Sequence, residues 1–205
     1  CSSDLYEKEE RIPLDIVEYM WKFEVPEQFS KRKFYPRILR NHKIGVTEKG
    51  DAVIPLYYNK TLKGIKYRSA TSKSFWYSKG FVKEEYLYNL DEAEKNKDYV
   101  IVVEGETDTW RVQEYEYNVV STLGVSISEW QNKMLRKFKR VYLGYNTDLP
   151  GIRATEAAYN ALYKHTDVMI IGYPEKDADM CSLQEFKEVF ENPFNYAEFK
   201  LLTGI

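Results

Sequence analysis

The sequence predicts an α/β fold in which a mostly parallel sheet, covered by helices on both faces, follows a small basic α+β subdomain. Its 205 residues are enough for one domain of ordinary size or two small ones. Apolar runs and helical patterns alternate after residue 98. Residues 1–97 hold 19 Lys and Arg against 15 Asp and Glu (+4), whereas residues 98–205 hold 11 against 17 (−6). We therefore place the domain boundary between residues 97 and 98.

The first part contains one predicted helix and a small antiparallel sheet. The helix runs from Leu14 to Phe23, and the basic segment that follows is broken by Pro26 and Pro36. Three short strand-like runs come next, separated by glycines, which is typical of a curled antiparallel sheet. These runs are Ala52–Tyr58, Ile65–Ser69 and Ser74–Tyr77.

Positive charge is concentrated between residues 31 and 73. This stretch has 12 basic residues against only Glu48 and Asp51, so its local field attracts polyanions. Aromatic residues are interleaved with the cations, and aromatic faces beside cations can stack the bases of a single strand. A lysine-rich solvated surface remains the alternative interpretation, and about half of these aromatics fill a core if the strand-like alternation holds. The aromatics are Phe34, Tyr35, Tyr57, Tyr58, Tyr67, Phe75, Trp76 and Tyr77.

The pattern of the second part predicts four strands, each followed by a helix. Such an alternation predicts a parallel sheet whose ligands lie at the carboxyl ends of the strands. Ser128 and Gln131 form a predicted capping box that opens the second helix. The predicted strands are Val100–Val103, Val119–Thr122, Val141–Gly144 and Val168–Ile171, and the predicted helices are Thr107–Tyr117, Ser128–Phe138, Ile152–Lys164 and Leu183–Phe190.

Acidic residues follow three of these strands. The clusters lie at residues 104–108, 146–148 and 175–179, and all three are expected at one rim of the sheet. Oxygen ligands that converge from several loops suit Mg²⁺ or Mn²⁺, and massed carboxylates repel one another unless a cation or protons intervene. A single acid before a helix is also explained as an N-cap. Three such clusters in succession favour metal-dependent phosphate chemistry.

Several classes of protein are excluded by the composition. No apolar run approaches the roughly 18 residues of a membrane-spanning helix, and the start lacks the pattern of a signal peptide. Two cysteines and two histidines cannot supply a disulfide framework or a structural zinc site from this chain alone. Cys181 is expected to be a packing residue and not a nucleophile. We expect no membrane partner, no zinc within this chain and a cytoplasmic location.

Three segments, taken in order, resemble the Toprim domain: Val103-Glu104-Gly105-Glu106-Thr107-Asp108, Leu143–Gly151 and Pro174–Asp179. The similarity is greatest to phage-type DNA primases, including the primase half of phage primase-helicases. The resemblance covers residues 98–190 well. It extends more loosely over residues 45–97, where Lys66-Tyr67-Arg68 and Lys73-Ser74-Phe75 are similar to a basic family segment that contacts nucleotide phosphates or template.

This resemblance implies a Toprim-like catalytic domain at 98–205 and a basic nucleic-acid-binding subdomain at 1–97. The implied activity is synthesis of short RNA primers on single-stranded DNA from ribonucleoside triphosphates, with two-metal nucleotidyl transfer, in a bacterial or phage-infected cell and beside a replicative helicase. Glu104 and Asp148 correspond to catalytic residues. The implied metal ligands are Glu104, Asp108, Asn146, Asp148, Asp177 and Asp179; the implied nucleotide and template contacts are Lys31, Arg32, Lys33, Arg37, Arg40, Lys66, Arg68 and Lys73.

The sequence departs from the family pattern at two places. Asn146 stands where the family has the first of two aspartates, so one ligand charge is missing. The zinc-binding domain of phage primases has no counterpart beyond Cys1. Two alternatives therefore stay open: a Toprim module of a helicase or primase that binds single-stranded DNA without making primers, and a Toprim nuclease that uses the same acids.

Overall fold

The structure is a computed structural model that describes residues 25–204, divided into two compact units, one ending at Phe81 and the other beginning at Val82. The helix predicted over Leu14–Phe23 lies outside the described residues. Within the described chain no helix is long and apolar enough to cross a membrane.

The first unit contains two short helices and an antiparallel sheet in the order β1-β2-β3-β4. Pro26 and Pro36, expected only to interrupt the chain, instead begin helices, since Pro26 is an N-cap and Pro36 occupies a first-turn position where no N–H is needed. The elements are α1 (Glu27–Ser30), α2 (Pro36–Asn41), β1 (Gly45–Val46), β2 (Ala52–Tyr58), β3 (Thr61–Arg68) and β4 (Phe75–Tyr77).

The second unit contains a four-stranded sheet in the order β6-β5-β7-β8, and all of its strand pairs are parallel. The predicted α/β fold class is confirmed. The strands are β5 (Tyr99–Val103), β6 (Val119–Ser121), β7 (Arg140–Leu143) and β8 (Asp167–Ile170). The helices are α3 (Leu90–Ala93), α4 (Glu106–Glu114), α5 (Glu129–Leu135), α6 (Leu149–Leu162), α7 (Leu183–Glu191) and α8 (Tyr196–Thr203), with 3₁₀ turns at Lys83–Glu85 and Ala178–Met180.

Single-residue bridges extend the parallel sheet at both edges. Tyr88 pairs with Ser121 of β6, and Phe194 pairs with Ile170 of β8, each antiparallel. The chain before β5 is thereby attached to the parallel sheet, and Asn89 adds a hydrogen bond from its side-chain amide to the carbonyl of Val119 (2.8 Å). The compact units consequently divide at Phe81/Val82, earlier than the boundary at 97/98 that the change of charge predicts.

The core of the second unit is built on β5. Ile101 and Val103 pack in one cluster with Val112 of α4 and Phe186 of α7, whereas the alternate residues Val100 and Val102 are also fully buried. Both faces of the strand are therefore covered, which explains why its sequence is a continuous apolar run. Local capping fixes where the helices begin. The predicted Ser128 capping box is present, with Ser128 Oγ accepting from the Gln131 N–H at 3.0 Å.

Candidate active site

The first acidic loop follows β5, at the carboxyl edge of the parallel sheet. Glu104 is the residue after the strand, is partly buried, and its backbone carbonyl accepts a hydrogen bond from the Gly124 N–H (3.0 Å). Tyr145 follows β7, the strand next to β5. Burial raises the pKa of Tyr145 to about 12, and the charge of Glu104 adds to the effect. The Glu104 carboxylate thus lies close enough to the β7 loop to influence it.

Asp108 connects the first acidic loop to the third. Its side chain is buried, with Oδ2 accepting from the Gly105 N–H (3.1 Å) and Oδ1 accepting from the Asp179 N–H (3.3 Å). Burial is the main reason that its pKa is raised to about 8; the charges of Asp177 and Asp179 raise it further, and the two N–H donors partly oppose the rise. Asp108 therefore holds two loops together and retains its proton near neutral pH.

The second acidic loop turns directly into α6. Asp148 is the N-cap of this helix, and its Oδ1 accepts from the Gly151 N–H at 3.1 Å. The backbone of Asn146 lies so close that a Cβ on Gly151 would come within 2.0 Å of the Asn146 carbonyl oxygen. Only glycine fits at this position, which gives a physical reason for the glycine that ends the motif.

The third acidic loop is fixed to the second by backbone contacts. The Thr147 N–H donates to the Lys176 carbonyl (2.9 Å), and the Thr147 hydroxyl donates to the Glu175 carbonyl (3.2 Å). Asp177 caps the 3₁₀ turn, accepting from the Met180 N–H at 3.2 Å. These hydrogen bonds bring residues that are about thirty positions apart in the chain to one rim of the sheet.

Lys176 places a positive charge beside Asp148, one of the predicted acids. Its Nζ lies 3.2 Å from Asp148 Oδ2. The hydrogen bond and charge of Asp148 raise the pKa of Lys176, and the charges of Asp177 and Glu104 contribute in the same direction. Asp148 is therefore the ion-pair partner of Lys176, and Asp177 and Glu104 act on the same ammonium group through their charges. The sequence interpretation had assigned no role to this lysine.

Asp179 is engaged in a buried ion-pair network. Arg111 Nη2 lies 3.3 Å from Asp179 Oδ1, and Arg111 Nη1 donates to Glu114 Oε2 at 2.5 Å. The exposed fractions of the three side chains are 15% for Arg111, 9% for Asp179 and 1% for Glu114. Arg111 anchors the third acidic loop to α4. Sequence reasoning missed it because its partner is 68 residues away.

The six predicted metal ligands therefore fall into two groups. Asp148 pairs with Lys176, whose ammonium group is also influenced by the charges of Glu104 and Asp177, and Asn146 lies on the same loop as Asp148, whereas Asp108 and Asp179 are buried in contacts between loops. Between residues 25 and 204, no three His, Cys, Asp or Glu side chains are grouped so that they could hold a metal ion as they stand. The carboxylate and amide oxygens of the first group are nonetheless the donors that Mg²⁺ prefers.

The predicted basic contacts all lie in the first unit. Most of them are exposed: Lys31, Arg32, Lys33, Arg37, Arg40 and Lys73. Arg68 is partly buried. Lys66 is buried, with its ammonium group 4.4 Å from the centroid of the Phe75 ring. Of the aromatics interleaved with these cations, Phe34 belongs to the core, whereas Tyr35, Phe75 and Trp76 are exposed.

Cys181 is buried in the core cluster of the second unit, as predicted for a packing residue. Burial raises the pKa of its thiol to about 11. A thiol with so high a pKa is a poor nucleophile near neutral pH.

Comparisons with known proteins agree with this geometry. Residues 101–182 match a family model described as Toprim-like. The structure of the E. coli primase catalytic core is similar, with a TM-score of 0.69 and 20% identity over 86% of this chain and 75% of that one. The primase fragment of the bacteriophage T7 primase-helicase has a TM-score of 0.66 and 20% identity over 80% and 72%. A DnaG primase catalytic domain bound to single-stranded DNA has a TM-score of 0.75 and 16% identity over 92% and 80%.

No curated protein matches the chain in sequence. The resemblance to Toprim-domain primases that the sequence suggested is confirmed. Residues 101–182 match the Toprim-like model, and the chain shares its fold with the catalytic cores of bacterial and phage primases.

Proposed function

We propose that this chain is the RNA polymerase domain of a DNA primase, which joins ribonucleotides into short primers on single-stranded DNA with the help of Mg²⁺ or Mn²⁺. The observation that carries the proposal is the joining of three acidic loops at the carboxyl edge of a primase-type sheet, where Asp108 accepts from the Asp179 N–H and the Thr147 N–H donates to the Lys176 carbonyl. Ligands of parallel α/β sheets bind at this edge. The reaction proposed is transfer of a nucleotidyl group to a 3′-hydroxyl with release of pyrophosphate.

Glu104, Asp148 and Asp177, assisted by the Asn146 side-chain oxygen, are the residues that would hold the divalent cation. When bound, such a cation neutralises phosphate charge and orients the attacking hydroxyl. Lys176 would exchange its present partner, Asp148, for a substrate phosphate once that carboxylate is engaged. This exchange lets the chain present both a positive side chain and carboxylates to a triphosphate.

Asp108 and Asp179 support the rim from behind in this proposal. Asp108 accepts hydrogen bonds from the Gly105 and Asp179 N–H groups, and Asp179 pairs with Arg111, so both acids join α4 to the third acidic loop. Neither carboxylate is freely exposed. Glu104 is the candidate for proton transfer, since it directly follows β5 at the carboxyl edge and is only partly buried, whereas Asp108 is buried between loops. Its side chain would accept the proton of the attacking hydroxyl.

The basic first unit would hold template and nucleotides. The exposed cations that follow α1, those of α2 and Lys73 in the turn before β4 provide the positive field that a single strand requires. A DnaG catalytic domain of similar fold was observed bound to single-stranded DNA, and another relative in fold is part of a primase-helicase. We therefore propose single-stranded DNA, ribonucleoside triphosphates and a replicative helicase as partners, in the bacterial or phage-infected cytoplasm where replication occurs.

A binding module without primer synthesis is the second candidate. Asn146, which stands in place of the aspartate of the family pattern, favours it. A titration with Mg²⁺ distinguishes the two. The enzyme should be stabilised against heat by the cation at millimolar concentrations, whereas a binding module should hold single-stranded DNA equally well with and without it.

The decisive experiment is a primer-synthesis assay on single-stranded DNA with labelled ribonucleotides and Mg²⁺ or Mn²⁺. Glu104→Gln and Asp148→Asn should abolish synthesis. Asp167→Asn is the matched control, because Asp167 begins β8 at the opposite end of the same sheet and pairs with Arg140. Synthesis that persists at the wild-type rate in both rim variants would overturn the assignment of the active site.

Two further arms separate the remaining possibilities. Incubation with labelled DNA alone detects a nuclease, which would release fragments without nucleotides. Asn146→Asp restores the family carboxylate and should tighten Mg²⁺ binding, measured as a larger thermal shift at equal cation concentration. An unchanged shift would mean that residue 146 does not face the ion.

A further inference from the structure

Strand β4 presents two large aromatic side chains at the edge of the antiparallel sheet. In the described part of the chain β4 pairs with β3 alone and ends the sheet. Phe75 is 55% exposed and Trp76 is 43% exposed. Because successive residues of a strand point to opposite faces, the two rings flank the edge on its two sides. We name Phe75, Trp76 and Tyr77 the β4 edge.

Each exposed ring is held in place by a neighbour. The Trp76 ring stacks on Tyr67 of β3, with centroids 5.5 Å apart and planes inclined by 13°. The Phe75 ring lies under the ammonium group of Lys66 and meets the Tyr77 ring edge to face at 5.9 Å. Rings that are already fixed lose little conformational freedom when a planar ligand stacks on them. The β4 edge is thus preorganised for a flat, unsaturated group.

The surroundings of the β4 edge are cationic. Residues 52–81 contain six Lys and Arg residues and no Asp or Glu. Lys73 and Lys79, on either side of β4, are exposed, and the turn before β4 carries the exposed hydroxyls of Thr71, Ser72 and Ser74. A ligand that suits this surface combines flat apolar faces with regularly spaced negative charges. An unpaired polynucleotide has both properties.

A protein strand is the other occupant that an open sheet edge could accept. Exposed lysines beside an edge strand oppose such pairing, and natural proteins use them for that purpose. Base pairs in a duplex are stacked on each other, so their faces are closed to a protein ring. Charge and geometry together select a single strand.

We propose that the β4 edge binds single-stranded DNA by stacking unpaired bases on Trp76 and Phe75, while Lys73 and Lys79 contact the adjoining phosphates. The choice of DNA rests on the proposed function; the stacking itself requires neither a metal ion nor catalysis. The surface lies wholly within the first unit, whereas the acidic rim belongs to the second.

The first test measures the affinity of the protein for a fluorescent oligothymidylate of about ten nucleotides by anisotropy, without metal or nucleotides. Trp76→Ala and Phe75→Ala should each weaken binding roughly 5- to 100-fold. Trp76→Phe should retain most of the affinity because a ring remains. Tyr163→Ala is the matched control, since Tyr163 is 46% exposed but lies after α6 in the second unit, and its affinity should equal that of the wild type.

Salt dependence separates stacking from charge. The slope of log affinity against log salt concentration should be unchanged in Trp76→Ala. Lys73→Met should make the slope shallower by about the amount that one phosphate contact contributes. A reduced slope in Trp76→Ala would mean that the substitution disturbs the cations and that stacking is not the cause.

A second test requires no mutation of the protein. An oligonucleotide of equal length in which the central bases are abasic keeps every phosphate but offers nothing to stack. The wild type should bind it about as weakly as Trp76→Ala binds the complete strand, and Trp76→Ala should not distinguish the two strands. Equal binding of both strands by the wild type would refute the proposal even if every variant misfolded.

Two other outcomes also decide against it. Unchanged DNA binding in Trp76→Ala, combined with loss of self-association in gel filtration, would identify the β4 edge as a protein interface. Preference for duplex over single strand would exclude base stacking. Primer synthesis is assayed separately, so a chain that binds DNA through Trp76 but makes no primers leaves this inference intact and overturns only the proposed function.

Discussion

Removal of the Arg111 guanidinium should cost the second unit a large part of its stability. Arg111 contacts Glu114 and Asp179, and all three side chains are at least 85% buried. Breaking a buried ion pair by deleting one partner typically costs about 3–5 kcal/mol, because the remaining charge has lost its compensation. In Arg111→Met two carboxylates lose their cation. We expect a loss within that range or slightly above it.

Urea denaturation followed by circular dichroism measures this loss. It should be largest near pH 8 and smaller near pH 5, because carboxylates without a cation can take up protons at acid pH and so avoid burial as anions. Arg111→Lys should recover part of the stability, since a lysine keeps the charge but cannot contact both acids with the geometry of a guanidinium. Lys139→Met serves as the control, because its pair with Asp98 is exposed and contributes little.

Two results would refute the reasoning. A loss below about 1 kcal/mol in Arg111→Met would show that the network contributes no more than a surface pair. A loss that does not change with pH would show that burial of the two carboxylates is not its origin. In either case, the anchoring of the third acidic loop would have to be assigned to the backbone contacts of Asp108 and Thr147 instead.

Three other substitutions or reactions follow from the same geometry. The pKa of Asp108 is raised to about 8 in the folded state and is near 4 in the unfolded state, so its contribution to stability is complete at acid pH and is lost as the pH rises towards 8. Asp108→Asn should therefore flatten this fall in melting temperature. Parallel curves of melting temperature against pH for the variant and the wild type would contradict the prediction. In a Cys1→Ser background, the buried Cys181 thiol should react with a disulfide reagent only after denaturation, so rapid labelling of the native protein would contradict its burial. Gly151→Ala should destabilise the protein by about 1–3 kcal/mol in urea and suppress primer synthesis, because its Cβ would collide with the Asn146 carbonyl; wild-type stability would show that the loop can move aside.

Features fixed by neighbouring residues could be predicted from the sequence. The apolar run over Val100–Val103 predicted a buried parallel strand, and the Ser128 capping box is present as expected. Each depends on periodicity or on a contact three residues away, which the chain order displays directly. Acidic loops after the parallel strands were also predictable, since strand ends of a parallel sheet share a rim.

Features fixed by distant contacts could not be predicted in this way. Lys176 meets Asp148 across 28 positions, and Asp108 receives the Asp179 N–H across 71. No local pattern distinguishes an acid that will be buried against an amide from one that stays at the rim. The two prolines near the start were misjudged for a related reason, because proline both ends a helix and favours the first turn of the next one.

The charge balance at the rim links the structure to the proposed chemistry. Lys176 pairs with Asp148 and is influenced by the charges of Glu104 and Asp177, and these four side chains carry a net charge of −2 when the carboxylates are ionised. One divalent cation would bring that charge to zero, and a second would make it positive unless phosphates accompany it. Asn146 is the residue that sets this balance, because an aspartate there would add one negative charge. Under the proposed function, one divalent cation would therefore balance the rim, and a second would require the negative charge of the triphosphate.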